Sequence, residues 1–239
     1  MDFKGKNALV TGAGAIGGLG YAVARVLASG GADVTVTGRD PRRGAQAVEN
    51  LGGRIRFLPA DLSEVEDVRR LADAAGPVNI LINNAAVLLG ATQELAAFDE
   101  AFAVNVRAPF ALTTVLAPRM AANGGGSIVN ISSTAAGIGM PAMAVYGATK
   151  AALESLTRAW AAEFAQANVR VNAVSPGPMR SAKAVESLGQ DVGGYGDTVP
   201  LARVADPAEV AEVVAFLASD LASFTTGAIV AADGGRSAI

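Results

Sequence analysis

The sequence predicts an α/β fold: a doubly wound parallel sheet flanked by helices. Three observations carry that expectation. Short apolar runs alternate with longer helix-favouring stretches along all 239 residues. The first apolar run opens into a glycine-rich loop, a helix and a second strand, the setting that gives a glycine motif structural meaning. The composition, 51% hydrophobic and 17% charged, argues for extensive burial and against disorder. No internal repeat, low-complexity tract or linker interrupts the alternation. A single domain is expected over 1–239, with a cofactor half of about 1–130 and a catalytic and substrate half of about 131–239.

The first strand is expected at 7–11, followed by Gly12-Ala13-Gly14-Ala15-Ile16-Gly17-Gly18-Leu19-Gly20, a helix at 21–29 and a strand at 32–37. Glycines permit the tight turn and let backbone N–H groups approach a pyrophosphate at the helix N-terminus, the Rossmann-type arrangement. In such folds an acidic residue at the end of the second strand holds the adenosine ribose and repels a 2′-phosphate. Gly38 stands there, and Arg39 follows with a guanidinium suited to phosphate. This favours NADP(H) over NAD(H). Two competing readings stay open: Asp40 serves the ribose, or Arg39 is a solvated turn residue.

Further strands are expected at 54–59, 79–82, 127–131, 169–174 and 228–231. Helices are expected from near Ser63, at about 95–118, at 151–166 and at 207–218. Asp61 stands where it could cap the helix near Ser63, with Glu64 and Glu66 in its first turn. Asn105 sits among apolar helix positions and needs a hydrogen-bond partner. Leu153, Leu156, Trp160 and Phe164 form an apolar stripe suited to core or subunit interface. The glycine-bearing stretch 182–199 is the least regular and suits a mobile lid with few large apolar side chains.

The chemistry centres on Tyr146 and Lys150, four residues apart and so one turn apart on one helix face. A neighbouring ammonium favours phenolate and is expected to pull the tyrosine pKa below its ordinary value of about 10. Ser133 lies thirteen residues before Tyr146, at the C-terminal end of the strand 127–131, where open α/β sheets hold ligands.

Composition removes other chemistries. The chain has no cysteine, which excludes disulfides and thiolate catalysis, and no histidine, so acid/base work falls to Tyr, Lys, Asp or Glu. A net charge of −3 gives no electrostatic reason to expect nucleic acid or an anionic membrane as partner. The N-terminus enters a strand without a signal-peptide apolar region, and no run is expected to reach the roughly 18 apolar residues of a membrane span. A cytoplasmic protein is the expectation.

Ser133, Tyr146 and Lys150, together with the glycine-rich start, resemble the short-chain dehydrogenase/reductase family, in the ketoreductase-like branch similar to 3-oxoacyl-ACP reductases. The resemblance runs through nearly the whole chain. It implies that Ser133 binds the substrate oxygen, Tyr146 is the general acid/base, Lys150 tunes the tyrosine and holds the nicotinamide ribose, and Asn105 props a water beside Lys150. A structural Asn105 that kinks its helix is compatible with that role. Around the cofactor, the resemblance implies Asp61 and the Leu62 backbone at the adenine, and Asn83 and Ala85 of Asn83-Asn84-Ala85-Ala86 at the ribose. It puts Pro176, Gly177 and Ser181 at the nicotinamide. Thr225-Thr226-Gly227 and Asp233-Gly234-Gly235 match the family's C-terminal pattern. No metal is implied. The implied substrate is a small-molecule carbonyl or alcohol, and the implied assembly a homodimer or homotetramer.

Two departures matter. Ala86 replaces a glycine, and five residues separate Gly12 from Gly18, making the loop two longer than the family's usual one. Gly12, Gly18 and Leu19 are expected at the phosphates, with the path of 13–17 open. The enoyl reductase branch has a similarly long loop, so an enoyl-thioester reductase stays as an alternative, as does a non-catalytic dinucleotide sensor or scaffold.

Overall fold

Seven parallel strands build one sheet in the computed structural model, which describes residues 1–92, 94–190 and 192–239, positions 183 and 187 by backbone alone. They are β1 (Asn7–Val10), β2 (Asp33–Gly38), β3 (Ile55–Pro59), β4 (Ile80–Asn83), β5 (Gly126–Ile131), β6 (Val169–Pro176) and β7 (Ile229–Ala232). Their order is β3-β2-β1-β4-β5-β6-β7. Chain direction across the sheet reverses between β1 and β4, which pair Leu9 with Leu81 and Val10 with Ile82. At that switch point the connections leave in opposite directions and open a crevice beyond the strand ends.

Helices cover both faces, which is why the strands read as apolar runs without alternation. On one face α1 (Leu19–Ser29) and α8 (Pro207–Ala218) pack over Val10, Ile80, Ile82, Val129 and Ile131. On the other, α3 (Val65–Ala74), α5 (Ala108–Ala122) and α6 (Ala144–Phe164) pack over Leu9, Leu81, Ile128, Val169 and Val171. Neighbouring strand residues thus point into opposite cores, as the pleat requires.

Several elements differ from the sequence expectation. A helix α2 (Pro41–Leu51) follows β2; Asp40 caps it by accepting from Arg42 N (2.8 Å) and Arg43 N (3.3 Å), and Pro41 stands in its first turn. Asp61 does not cap α3. It closes the preceding turn, accepting from the Ser63 amide at 2.9 Å and its hydroxyl at 2.7 Å, while Glu64 is the N-cap. The stretch expected to be irregular contains α7 (Ala182–Leu188), capped by Ser181; Asp191 lies outside the described residues.

The helix expected near 95–118 is three consecutive pieces: α4 (Leu95–Phe102), a π-turn (Ala103–Arg107) and α5. Contrary to expectation, the run Leu95–Ala122 is long and apolar enough to cross a membrane by length and composition. It behaves as a core helix: 56% of its apolar window is buried, with Ala108, Leu112 and Leu116 under the sheet. In the stripe on α6, Trp160 is only 4% exposed and stacks near Phe110, so it serves the chain's own core.

Gly20 shows how tightly the crevice is built. A Cβ there would run into the Asn84 amide nitrogen and lie 2.8 Å from the Gly12 carbonyl. Gly20→Ala should therefore lose about 1–3 kcal/mol despite the better helix propensity of alanine. Urea unfolding tests this; wild-type stability in the variant would show that the loop yields without cost.

Candidate active site

The glycine loop is clamped at the switch point by two residues. Thr11 Oγ1 donates to Ile82 O (3.2 Å) and accepts from Asn84 N (2.9 Å) and Ala85 N (3.0 Å). Asn84 Nδ2 returns a bond to Thr11 O at 2.7 Å. The ends of β1 and β4 are thereby locked together. Gly12 is needed in this clamp: its φ is +68°, and a Cβ would lie 2.7 Å from Ala85 Cα.

The lengthened loop continues as a tight turn, with Gly18 N donating to Ala15 O at 3.1 Å. Gly18 then caps α1 with extended backbone and no side-chain cap, and the first turn carries no acidic residue. The N–H groups of Leu19, Gly20 and Tyr21 precede the first intrahelical acceptor, so this helix end is suited to an anion. Gly17, exposed at the tip, accepts from Ala182 N of α7 at 3.2 Å. The lengthened loop is thereby tied to α7.

Beyond the end of β2, Arg39 reaches Glu100 of α4, Nη1 to Oε1 3.4 Å. Asp40 is engaged as the α2 cap and pairs with Arg43 at 3.6 Å. Asp61 lies at the β3 end. Burial raises its pKa, but the Ser63 hydrogen bonds and the Arg39 charge outweigh this and hold it below the usual range. Leu62 beside it is buried. Asn83 turns its side chain into the core, donating to Asn130 Oδ1 at 2.8 Å; Asn130 in turn donates to Thr157 of α6 at 2.8 Å. The side chain braces β4 against β5. Ala85 is half-buried against the clamp.

The second cluster forms where β5 meets α6. Because α6 starts at Ala144, both Tyr146 and Lys150 are helical. Lys150 is 1% exposed and donates through Nζ to Ile131 O at 2.8 Å, which places Nζ 5.6 Å from the centre of the Tyr146 ring. Ser133, just past β5, accepts from Ala135 N at 3.2 Å and has its hydroxyl against the Tyr146 phenol. The charge balance reverses the sequence expectation. Burial pushes the Tyr146 pKa up, with the Ser133 hydrogen bond as the lowering influence. Lys150 yields instead, brought by burial from its ordinary 10.5 to about 8.

Asn105 is fully buried in the π-turn. Its Oδ1 accepts from Val87 N (2.8 Å), and its Nδ2 donates to Val87 O (3.0 Å) and Thr149 Oγ1 (3.0 Å). Thr149 passes a bond to Tyr146 O at 2.7 Å. The side chain is thus saturated as a strut between the β4 loop and α6. Its carbonyl has a different fate: the α-helical donor would be residue 109, a proline without N–H. Pro109 was the missed sequence signal for that group, and Thr11, Asn84 and Thr149 were missed because their roles are contacts between distant segments.

Beyond β6, Gly177 lies under the C-terminal Asp233, and a Cβ there would meet Asp233 Cα at 2.7 Å. Pro176 ends β6 opposite Ala232. Ser181 Oγ accepts from Ala184 N at 3.2 Å as the α7 cap. A hollow of about 420 Å³, lined by Gly90, Ala91, Thr92, Ala142, Ala144 and Val145, adjoins the Tyr146 turn and bears no charged side chain.

Comparison with known proteins agrees with this architecture. The family model described as enoyl-(acyl carrier protein) reductase matches residues 12–237. The chain is 36% identical to L-xylulose reductase of Bos taurus over 245 residues, covering 98% of each. Among solved structures, one described as a candidate betaketoacyl-ACP reductase superposes with a TM-score of 0.93 at 48% identity, covering 100% of both chains. A candidate NAD(P)-dependent gluconate 5-dehydrogenase from Beutenbergia cavernae, with NADP bound at low occupancy, superposes at 0.93 with 33% identity, covering 100% of this chain and 99% of that one. The chain belongs to the short-chain dehydrogenase/reductase family and is an oxidoreductase of that family.

Two outcomes follow from the geometry. Unfolded Lys150 keeps its proton to 10.5 whereas the folded chain releases it at about 8. Between those values the unfolded chain binds more protons, so stability rises with pH; below them the full cost, roughly 3 kcal/mol, is present. Lys150→Met should be more stable than wild type at pH 7, by about 1–3 kcal/mol, and should lose that rise between pH 8 and 10.5. Denaturant melts at neutral and alkaline pH decide it; a less stable Met variant would show that the Ile131 bond outweighs the buried charge. In α7, Ala182→Pro deletes only the N–H given to Gly17, because proline suits a first helical turn and Ser181 is already extended at φ −74°, ψ 155°. Proteolysis within 182–199 should accelerate severalfold, and an unchanged rate would show that the bond does not hold the lid.

Proposed function

We propose that the protein catalyses reversible hydride transfer between NADP(H) and a carbonyl/secondary-alcohol pair on a small substrate. The observation that carries this is the meeting of Ser133, Tyr146 and Lys150 at the C-terminal end of β5, phenol against hydroxyl and ammonium 5.6 Å from the ring. The nicotinamide, when bound, supplies the hydride chemistry.

The residues present suit a dinucleotide: an uncapped α1 N-terminus, a glycine clamp that leaves the backbone open, and an arginine in place of an acid after β2. Gly12, Gly18 and Leu19 would hold the pyrophosphate, Asp61 and Leu62 the adenine, and the Asn83 and Ala85 backbone the ribose. Pro176, Gly177 and Ser181 would orient the nicotinamide. Arg39 would take the 2′-phosphate, a preference supported by the commitment of Asp40 to α2. NADP is also the cofactor in the Beutenbergia cavernae structure.

In reduction, Tyr146 gives its proton to the substrate oxygen while Ser133 donates a hydrogen bond to that oxygen. Lys150 holds the ribose hydroxyls and stabilises the phenolate left behind. With a pKa near 8 it can also pass a proton onward. The Asn105 carbonyl, whose α-helical donor position is taken by Pro109, is the group that would hold a water beside Lys150. The uncharged hollow beside Tyr146 suits a neutral carbonyl substrate. We also propose a homodimer or homotetramer, with Phe110, 48% exposed beside Trp160, on the contact face.

One other reading has specific support. The lengthened glycine loop and the enoyl description of the matching family model both favour reduction of a C=C bond. The four-residue Tyr146–Lys150 spacing and the engaged Ser133 favour the carbonyl. Assay of a ketone and an enoyl thioester with NADPH separates them, and Tyr146→Phe should reduce ketone turnover by at least about 10²-fold with binding retained. Turnover of the thioester alone would establish the other reaction. Parallel titration with NADPH and NADH, on wild type and Arg39→Ala, tests the cofactor choice: NADPH binding should weaken selectively.

A further inference from the structure

Around the adenosine end, one charged pair is unused by the reaction. Arg39 leaves the end of β2 and reaches α4, its Nη1 3.4 Å from Glu100 Oε1. The same guanidinium acts on Asp61 at the end of β3. Arg39 thus touches α4 and stands near enough to the end of β3 for its charge to act on Asp61. Asp40, adjacent in sequence, is occupied by the α2 amides and Arg43. Glu100 is therefore the carboxylate that engages Arg39.

We infer that Glu100 sets cofactor discrimination, as the anion that Arg39 holds until a 2′-phosphate displaces it. This rests on the assignment of Arg39 to that phosphate. Both partners are substantially exposed, 66% and 44% by side chain, so the pair is weak and exchangeable. A phosphate carries more charge and matches the guanidinium fork, so it displaces the carboxylate. The displaced carboxylate stays on α4, a few ångströms from the incoming dianion, and repels it. A ribose hydroxyl in the same place leaves the Arg39–Glu100 pair intact and meets no such penalty. Glu100 thus lowers NADPH affinity without touching NADH, and restrains a preference that Arg39 alone would make stronger.

Nucleotide titration by intrinsic or nicotinamide fluorescence tests this on four proteins: wild type, Glu100→Gln, Arg39→Ala and the double variant. Glu100→Gln should tighten NADPH about 3–10-fold at low salt and less at high salt, with NADH unchanged within about twofold. In the Arg39→Ala background most of that gain should disappear, because the competition needs both partners. Thermal melts of the unliganded proteins serve as the folding control and should coincide, as expected for an exposed pair. If Arg39→Ala weakens NADPH but Glu100→Gln changes nothing, loosens NADPH or tightens both nucleotides equally, Glu100 is no competitor and the inference falls alone. If Arg39→Ala affects neither nucleotide, the assignment of Arg39 to the 2′-phosphate falls, and this inference with it.

Discussion

The ammonium of Lys150, buried and held by the Ile131 carbonyl, fixes α6 against the end of β5, and the site is arranged around that contact. With Nζ pinned to the strand, the helix phase places Tyr146 one turn earlier, over the second residue past β5. That residue is Ser133, with its hydroxyl against the phenol. Thr149, next to Lys150, is turned the other way and meets Asn105, which joins α6 to the loop after β4. One buried cation thus orients a helix, a strand end and a loop. The desolvation it suffers is a stability cost accepted for chemistry, since an ammonium with a pKa near 8 exchanges protons far more readily than an exposed lysine.

The cofactor side depends on shape more than on charge. Thr11 and Asn84 join strands that lie more than seventy residues apart in sequence, and Gly12 and Gly20 fit only because they lack a Cβ. That clamp leaves the α1 N-terminus uncapped at the sheet's switch point. The two additional residues of the loop leave this arrangement intact: they form an outer turn whose tip, Gly17, meets α7. Loop length alone therefore does not decide between C=O and C=C chemistry here.

Much of the site was legible in the sequence where function depends on local spacing. The four-residue step from Tyr146 to Lys150 fixes a shared helix face, and glycines between a strand and a helix fix a phosphate-binding turn. Legibility failed where a residue answers to a distant partner. The segment at Asn83 was expected to brace the neighbouring strand as well as to line a ribose, but the partner that its side chain meets there, Asn130, lies 47 residues away and was not named by the sequence. Capping of α3 was one reading open for Asp61, but Ser63 draws its carboxylate into the preceding turn. Asp40 caps α2, a helix that the sequence reading did not expect.

The sequence by itself determined the fold class, because strand and helix periodicities and glycine placement are local properties that packing leaves unchanged. It also narrowed acid/base chemistry to Tyr, Lys, Asp or Glu, since the chain offers no cysteine or histidine. Only the tertiary structure decided the electrostatics. Proximity of Lys150 suggested a lowered Tyr146 pKa, yet burial raises the tyrosine and lowers the lysine. Desolvation depends on what surrounds a group on every side, and that is settled only when β5, α6 and the β4 loop close together.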